Sequence, residues 1–129
     1  MPFRPIPESV EHAATDVIGA AIEVHKRLGP GFLERIYHEA LCFELTGRRI
    51  AFERESAVVV NYKGMAITGQ RIDLIVEHCL VVELEAATRI DPAHEAKVIS
   101  YLRTMSLRLG LLLNFNCRTM KEGIKRIVL

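Results

Sequence analysis

The chain holds few of the residues that staple or anchor small proteins. It has three cysteines, Cys42, Cys79 and Cys117. Their odd number and wide spacing exclude a disulfide framework and a zinc knuckle, and they read as reduced thiols, partly in the core. No apolar run approaches the ~20 residues that a membrane span requires. Met1 to Pro7 contains three prolines and Arg4 and no apolar stretch. That composition leads us to expect no secretory signal, a loose arm over residues 1–8, and a cytoplasmic protein without membrane attachment. Neither an internal repeat nor a low-complexity segment is present.

What remains is ordinary globular composition: half of the 129 residues are hydrophobic and 26% are charged. That length suits one domain, here residues 9–129, with a core large enough to need no staples. Net charge is only +1, but it is unevenly spread. Up to residue 96 there are ten Lys/Arg against fifteen Asp/Glu, and from Lys97 on there are seven against Glu122 alone. Of these seven, Arg103, Arg108, Arg118, Lys121, Lys125 and Arg126 are candidates for contact with nucleic-acid phosphates. The plainer reading is solvated charge on a helix and a strand.

Periodicity divides the chain. Ser9 is placed to cap a helix reaching Leu28, with Val10, Ala14, Val17, Ala21, Val24 and Leu28 on its apolar face. Gly29-Pro30-Gly31 ends it; without a Walker lysine or a preceding strand, these residues are a helix breaker and not a phosphate loop. A second helix is predicted over 33–46, burying Ile36, Ala40, Leu41 and Leu45. Strands follow over 50–53, 57–62, 65–76 and 80–86, with a turn at Lys63-Gly64. Asp91-Pro92 opens a helix that runs to about Met105. Strands over 110–115 and 124–129 close the chain. This order predicts an α/β sandwich with a mixed sheet.

The segment with chemical content is 71–87. On its second strand Val81, Glu83 and Glu85 share one face, and Asp73 lies within reach on the strand before. Carboxylates gathered on a buried strand repel one another and are costly to desolvate, so they call for a hard divalent cation or for protons. The competing reading leaves these acids in solvent at a sheet edge. None of the five histidines has metal-ligand spacing; His94 alone is of interest, because it opens the helix nearest the acids.

Gly31-Phe-Leu-Glu34-Arg-Ile-Tyr37, Tyr62-Lys63-Gly64, Arg71-Ile-Asp73-Leu, Val82-Glu83-Leu84, Tyr101-Leu-Arg103 and Gly110-Leu-Leu-Leu-Asn-Phe115 occur in the order seen in GxxExxY proteins. The chain thus resembles the GxxExxY family, which is similar to PD-(D/E)XK nucleases, over nearly its whole length from about residue 9. The resemblance implies a restriction-endonuclease-like three-layer α/β sandwich, a mixed central sheet flanked by helices. It also implies a Mg²⁺- (or Mn²⁺-) dependent nuclease, with Glu34, Asp73 and Glu83 as metal ligands and Tyr37 as a supporting hydroxyl. The ordinary alternative for Tyr37 is a core tyrosine. Asp73 and Glu83 would also carry the catalysis.

One departure matters. The family places a lysine where this chain has Glu85, and usually a glutamine where it has Lys97. A glutamate supplies no fixed positive charge to a phosphoryl group in reaction. Two outcomes follow. Either Lys97 returns the ammonium to the site from the helix, making Glu85 and Lys97 part of the catalytic set, or the two form a neutral pair without chemistry. The first outcome describes a phosphodiesterase, and the second a nuclease-fold module that binds nucleic acid or a protein partner. A third reading, a purely structural homodimer, requires an apolar surface that sequence does not reveal.

Overall fold

The computed structural model describes residues 4–129. Helices α1 (Glu8–Leu28) and α2 (Glu34–Gly47) precede three strands, β1 (Phe52–Tyr62), β2 (Met65–Val76) and β3 (Leu80–Glu85). Helix α3 (Pro92–Met105), β4 (Leu109–Asn114), a short 3-10 helix (Met120–Gly123) and β5 (Ile124–Val128) complete the chain. The five strands form one sheet in sequence order, antiparallel except for the parallel pair β3–β4. A parallel neighbour requires a crossover, and α3 supplies it.

Helices lie on both faces of the sheet. Leu80, Val82 and Leu84 of β3, with Leu109, Leu111 and Leu113 of β4, pack beneath α1 and α2. Val81 and Leu112, from the opposite faces of the same strands, pack under Val98, Tyr101 and Leu102 of α3. The three-layer mixed α/β sandwich is the expected fold. Every residue of β3 and β4 is buried, because both faces are covered.

Several boundaries and faces differ from expectation. Helix α1 begins at Glu8, with Pro7 and not Ser9 in the capping position. Proline there has no N–H to leave unpaired. The buried stripe of α2 is Tyr37, His38, Leu41, Cys42 and Leu45, while Ile36 is exposed and Ala40 half-buried. The aromatic Tyr37 rotates the helix by stacking on Phe115, with ring centres 4.7 Å apart. The two predicted strands over 50–62 are a single strand, with Glu55 at a left-handed φ of 48° in its course. Strand β4 starts one residue earlier than predicted, at Leu109, and β5 ends at Val128.

The described part of the N-terminal segment is tied to the body. Ile6 packs against the core, and the Arg108 guanidinium donates to the carbonyls of Arg4 (2.8 Å) and Pro5 (3.0 Å). Residues 1–3 lie outside the described residues. Among those described, no helix is long and apolar enough to cross a membrane.

Gly110 sets how closely α3 approaches the sheet. A Cβ built there would lie 2.6 Å from Val98 Cγ1. Valine is stiff at χ1 and has no easy retreat, so the helix itself would have to lift. Gly110→Ala is expected to cost about 1–3 kcal/mol in urea unfolding, the range for overpacking a tight core. An unchanged midpoint would show that the helix does not sit as close as described.

Candidate active site

The acids meet where the β2–β3 ladder stops. Paired residues run from Val76↔Leu80 to Leu74↔Val82 and go no further. The next two residues, Asp73 and Glu83, exchange side chain for backbone. The Asp73 N–H donates to Glu83 Oε2 at 3.0 Å, and the Leu84 N–H donates to Asp73 Oδ2 at 2.9 Å. Strand N–H groups that would lack partners at the end of a ladder are thus satisfied by carboxylates. The exchange also fixes both acids to the backbone. Glu83 is 1% exposed.

Helix α3 brings a cation over them. His94, Lys97 and Tyr101 follow one another at spacings of three and four, so they share a helix face. Lys97 Nζ lies 3.6 Å from Glu83 Oε1 and 3.5 Å from Glu85 Oε1. His94 Nε2 is 3.8 Å from Glu85 Oε2. His94 Nδ1 accepts the Asp91 N–H at 2.9 Å, so the helix cap orients the ring. The Tyr101 hydroxyl donates to the Arg71 carbonyl at 3.2 Å, fastening α3 to β2 two residues before Asp73. At the far end of β3, Asn114 takes the Ala87 N–H (3.1 Å) and donates to the Ala87 carbonyl (3.0 Å). This clamp holds the chain just beyond Glu85. The signal for it in the sequence is the single amide that ends the run Leu109-Gly-Leu-Leu-Leu-Asn114.

Electrostatics follow from burial. The Glu83 carboxyl is pushed up to about 9, first by desolvation and then by its hydrogen bond to Asp73 and that residue's charge. At neutral pH it therefore holds a proton unless a cation replaces it. Burial works against the Lys97 ammonium, but the charges of Glu83 and Glu85 outweigh it, and its proton is held more tightly than in free lysine. Glu34, exposed at the first residue of α2, is also raised, by desolvation and then by the charges of Glu85 and Asp73, with Lys97 and His94 opposing. Its carboxyl thus responds to the charges of all four side chains.

The family model of the PD-(D/E)XK nuclease superfamily matches residues 11–127. The chain belongs to that superfamily. No match was found among curated proteins or among solved structures.

In a PD-(D/E)XK protein, the geometry bears directly on the departure noted in the sequence. Asp73 and Glu83 are together, Glu85 stands beside Glu83, and Lys97 reaches both glutamates. Among the described residues no three His, Cys, Asp or Glu side chains close on a common point as a metal cage would. Mg²⁺ does not ask for such a cage: one or two carboxylates and several waters suffice. Asp73, half-buried, and Glu83, buried, supply carboxylate oxygens of the kind such an ion takes.

Other expectations fare differently. Tyr37 is a core residue. Its hydroxyl donates to the Gly29 carbonyl (2.5 Å) and accepts the Phe32 N–H (3.1 Å), clipping the turn before α2. Glu53 and Glu55 are exposed. Two of the basic residues of the C-terminal third, Lys125 and Arg126, lie on opposite sides of the sheet. Successive β5 side chains point to opposite faces of the sheet, so Lys125 pairs with Glu95 of α3 and Arg126 with Glu11 of α1. Arg118 pairs with Glu122, and Arg108 is occupied by the N-terminal carbonyls. Among the described residues only Arg103 and Lys121 of the six are without an ionic or hydrogen-bond partner.

Proposed function

We propose that the chain is a GxxExxY-type nuclease, cleaving nucleic-acid phosphodiesters with Mg²⁺ or Mn²⁺, in which Lys97 replaces the lysine missing from position 85. The observation that carries this reading is the position of the Lys97 ammonium, within 3.6 Å of both Glu83 and Glu85. In this reading Asp73 and Glu83 hold the metal, with Glu34 as the third acid. The metal, when bound, lowers the pKa of a water and stabilises charge on the phosphoryl oxygens. The chain's own residues do the rest. Asp73 and Glu83 fix each other through the backbone; Glu83 gives up its proton when a cation binds. Lys97 presents a fixed positive charge to the phosphoryl group. Glu85 is then the counter-ion that holds Lys97 in place, steadied in turn by His94.

A second reading rests on the same contacts. Glu85 already engages Lys97 at 3.5 Å, and an ammonium consumed in such a pair is less available to a substrate. The domain would then bind nucleic acid or a protein partner without turning substrate over.

Thermal melts with rising Mg²⁺ or Mn²⁺, run beside cleavage assays on DNA and RNA, separate the two. A metal that binds only the native state must raise Tm, by mass action about 2.7 kcal/mol of stabilisation at a hundred times Kd. We expect a rise of several degrees in the wild type and little in Asp73→Asn, with cleavage lost in the variant. No metal-linked shift and no cleavage would remove the enzymatic reading. Oligonucleotide binding that survives and weakens steeply with salt would favour the binding module.

A further inference from the structure

The β1–β2 hairpin projects past the candidate site. Every residue from Val59 to Arg71 is exposed. No acidic residue lies between Ser56 and Ile72, although fifteen occur in the first 96 residues; Lys63 and Arg71 are the charges on this stretch. Val60 pairs across the ladder with Ile67, and Tyr62 with Met65. Cross-strand partners and i, i+2 neighbours share a face, so these four side chains form one apolar surface. Tyr62 and Met65 are 57% and 58% exposed.

The surface is held in shape. Lys63 and Gly64 both adopt positive φ, 50° and 86°, the geometry of a tight hairpin turn. The Gly64 N–H donates to Asn61 Oδ1 at 3.0 Å. The Lys63 ammonium sits 5.5 Å from the centre of the Tyr62 ring, so cation and aromatic face are presented together. Val58, two residues earlier on β1 and across a register shift in the ladder, is already buried in the α3-side core. The surface is therefore the solvent-facing continuation of the side of the sheet that carries Lys97. At ~3.3 Å per residue, β2 leads from Met65 to Asp73 in about 26 Å.

We propose that this hairpin is a stacking platform for single-stranded nucleic acid, delivering unpaired bases along β2 to the acids at Asp73 and Glu83. The inference rests on the nuclease reading above and narrows its substrate class. Unpaired bases offer π-faces to Tyr62 and the rest of the apolar quartet, and their phosphates find Lys63 and Arg71 on a stretch, 57–71, that holds no acidic residue. A duplex hides those faces and presents only charged edges to an apolar surface. The opposing occupant, a second copy packed face to face, gains nothing from the absence of acids.

The test is fluorescence anisotropy of the full chain, without divalent metal, on labelled oligo-dT, oligo-U and a duplex of equal length. The wild type should prefer the single strands. Tyr62→Ala should weaken them about tenfold, the scale of one lost base–aromatic stack, with an unchanged melt because the ring is exposed. Lys63→Ala should reduce the salt slope. The two single strands distinguish DNA from RNA as the source of the bases. Equal or tighter duplex binding overturns the inference. So do Tyr62→Ala and Met65→Ala variants that bind like wild type; if Asp73→Asn still abolishes cleavage, the nuclease reading stands without the platform. A wild type that binds no oligonucleotide also overturns it. Sedimentation as a dimer that Met65→Lys dissociates would then assign the surface to a second copy.

Discussion

Lys97→Met is expected to lower metal-dependent cleavage by ~10²–10³, the usual effect of removing one preorganised charge-stabilising group. Methionine keeps the apolar stem and removes the ammonium. What is lost is the one lysine or arginine group within 4 Å of Glu83 and Glu85 among the described residues. Because the ammonium acts on charge that develops in the reaction, the loss should fall on kcat more than on KM. The exchange variant Glu85→Lys/Lys97→Glu is the sharper test. It keeps a lysine–glutamate pair at the same place and returns the positive charge to the strand. Activity within about tenfold of wild type is expected, because one unit of positive charge still faces the phosphoryl site. If Lys97→Met cleaves as fast as wild type, the ammonium is inert. If no form cleaves, the exchange variant included, the enzymatic reading falls and the binding module remains.

The metal-free protein should lose stability as pH rises from about 4.5 to about 9. Glu83 has its carboxyl pushed up to about 9 in the folded chain, against a value of 4.5 for the group when solvated. Between those limits the unfolded chain has released the proton and the folded chain still holds it. Unfolding releases a proton, so stability falls with pH, by at most ~1.4 kcal/mol per unit. Glu34, also raised, adds to the same slope just above 4.5. The carboxyls of Glu11, Glu23 and Glu39 are lowered by their arginine partners and act only below this window. Lys97, with its proton held above 10.5, acts only beyond it. Urea unfolding in a chelator at pH 5.5 and 8.5 should show a loss of about 2–4 kcal/mol in the wild type. Glu83→Gln should remove most of that slope, since an amide cannot ionise. Saturating Mg²⁺ should flatten it in the wild type by taking the proton's place. A wild-type protein equally stable at both values would mean that the ionised Glu83 is tolerated without a cation.

Much of this was legible in the residues. Alternation along Val81-Val-Glu83-Leu-Glu85 put the two glutamates on one face, because a strand's side chains repeat every two residues whatever surrounds them. Asp91-Pro92 marked the start of α3 by proline's missing N–H and fixed φ. The apolar run in β4 announced a strand covered on both sides. All are local rules, decided by neighbours a few positions away. The buried stripe of α2 was not legible, because Tyr37 finds its ring partner in Phe115, far along the chain. Nor was the separation of Lys125 from Arg126, because the placement of β5 at the sheet edge between Glu95 and Glu11 is a matter of topology.

The amino-acid sequence by itself determined the α/β class and set Glu83 and Glu85 on one strand face, since both are written in short-range period and residue type. The tertiary structure alone decided that Asp73 and Glu83 replace a rung of the ladder for each other, and that Lys97 reaches across from another layer to both glutamates. Such contacts depend on how closely α3 is allowed to lie on β4, and that spacing comes from Gly110 against Val98, a packing fact that no local pattern encodes.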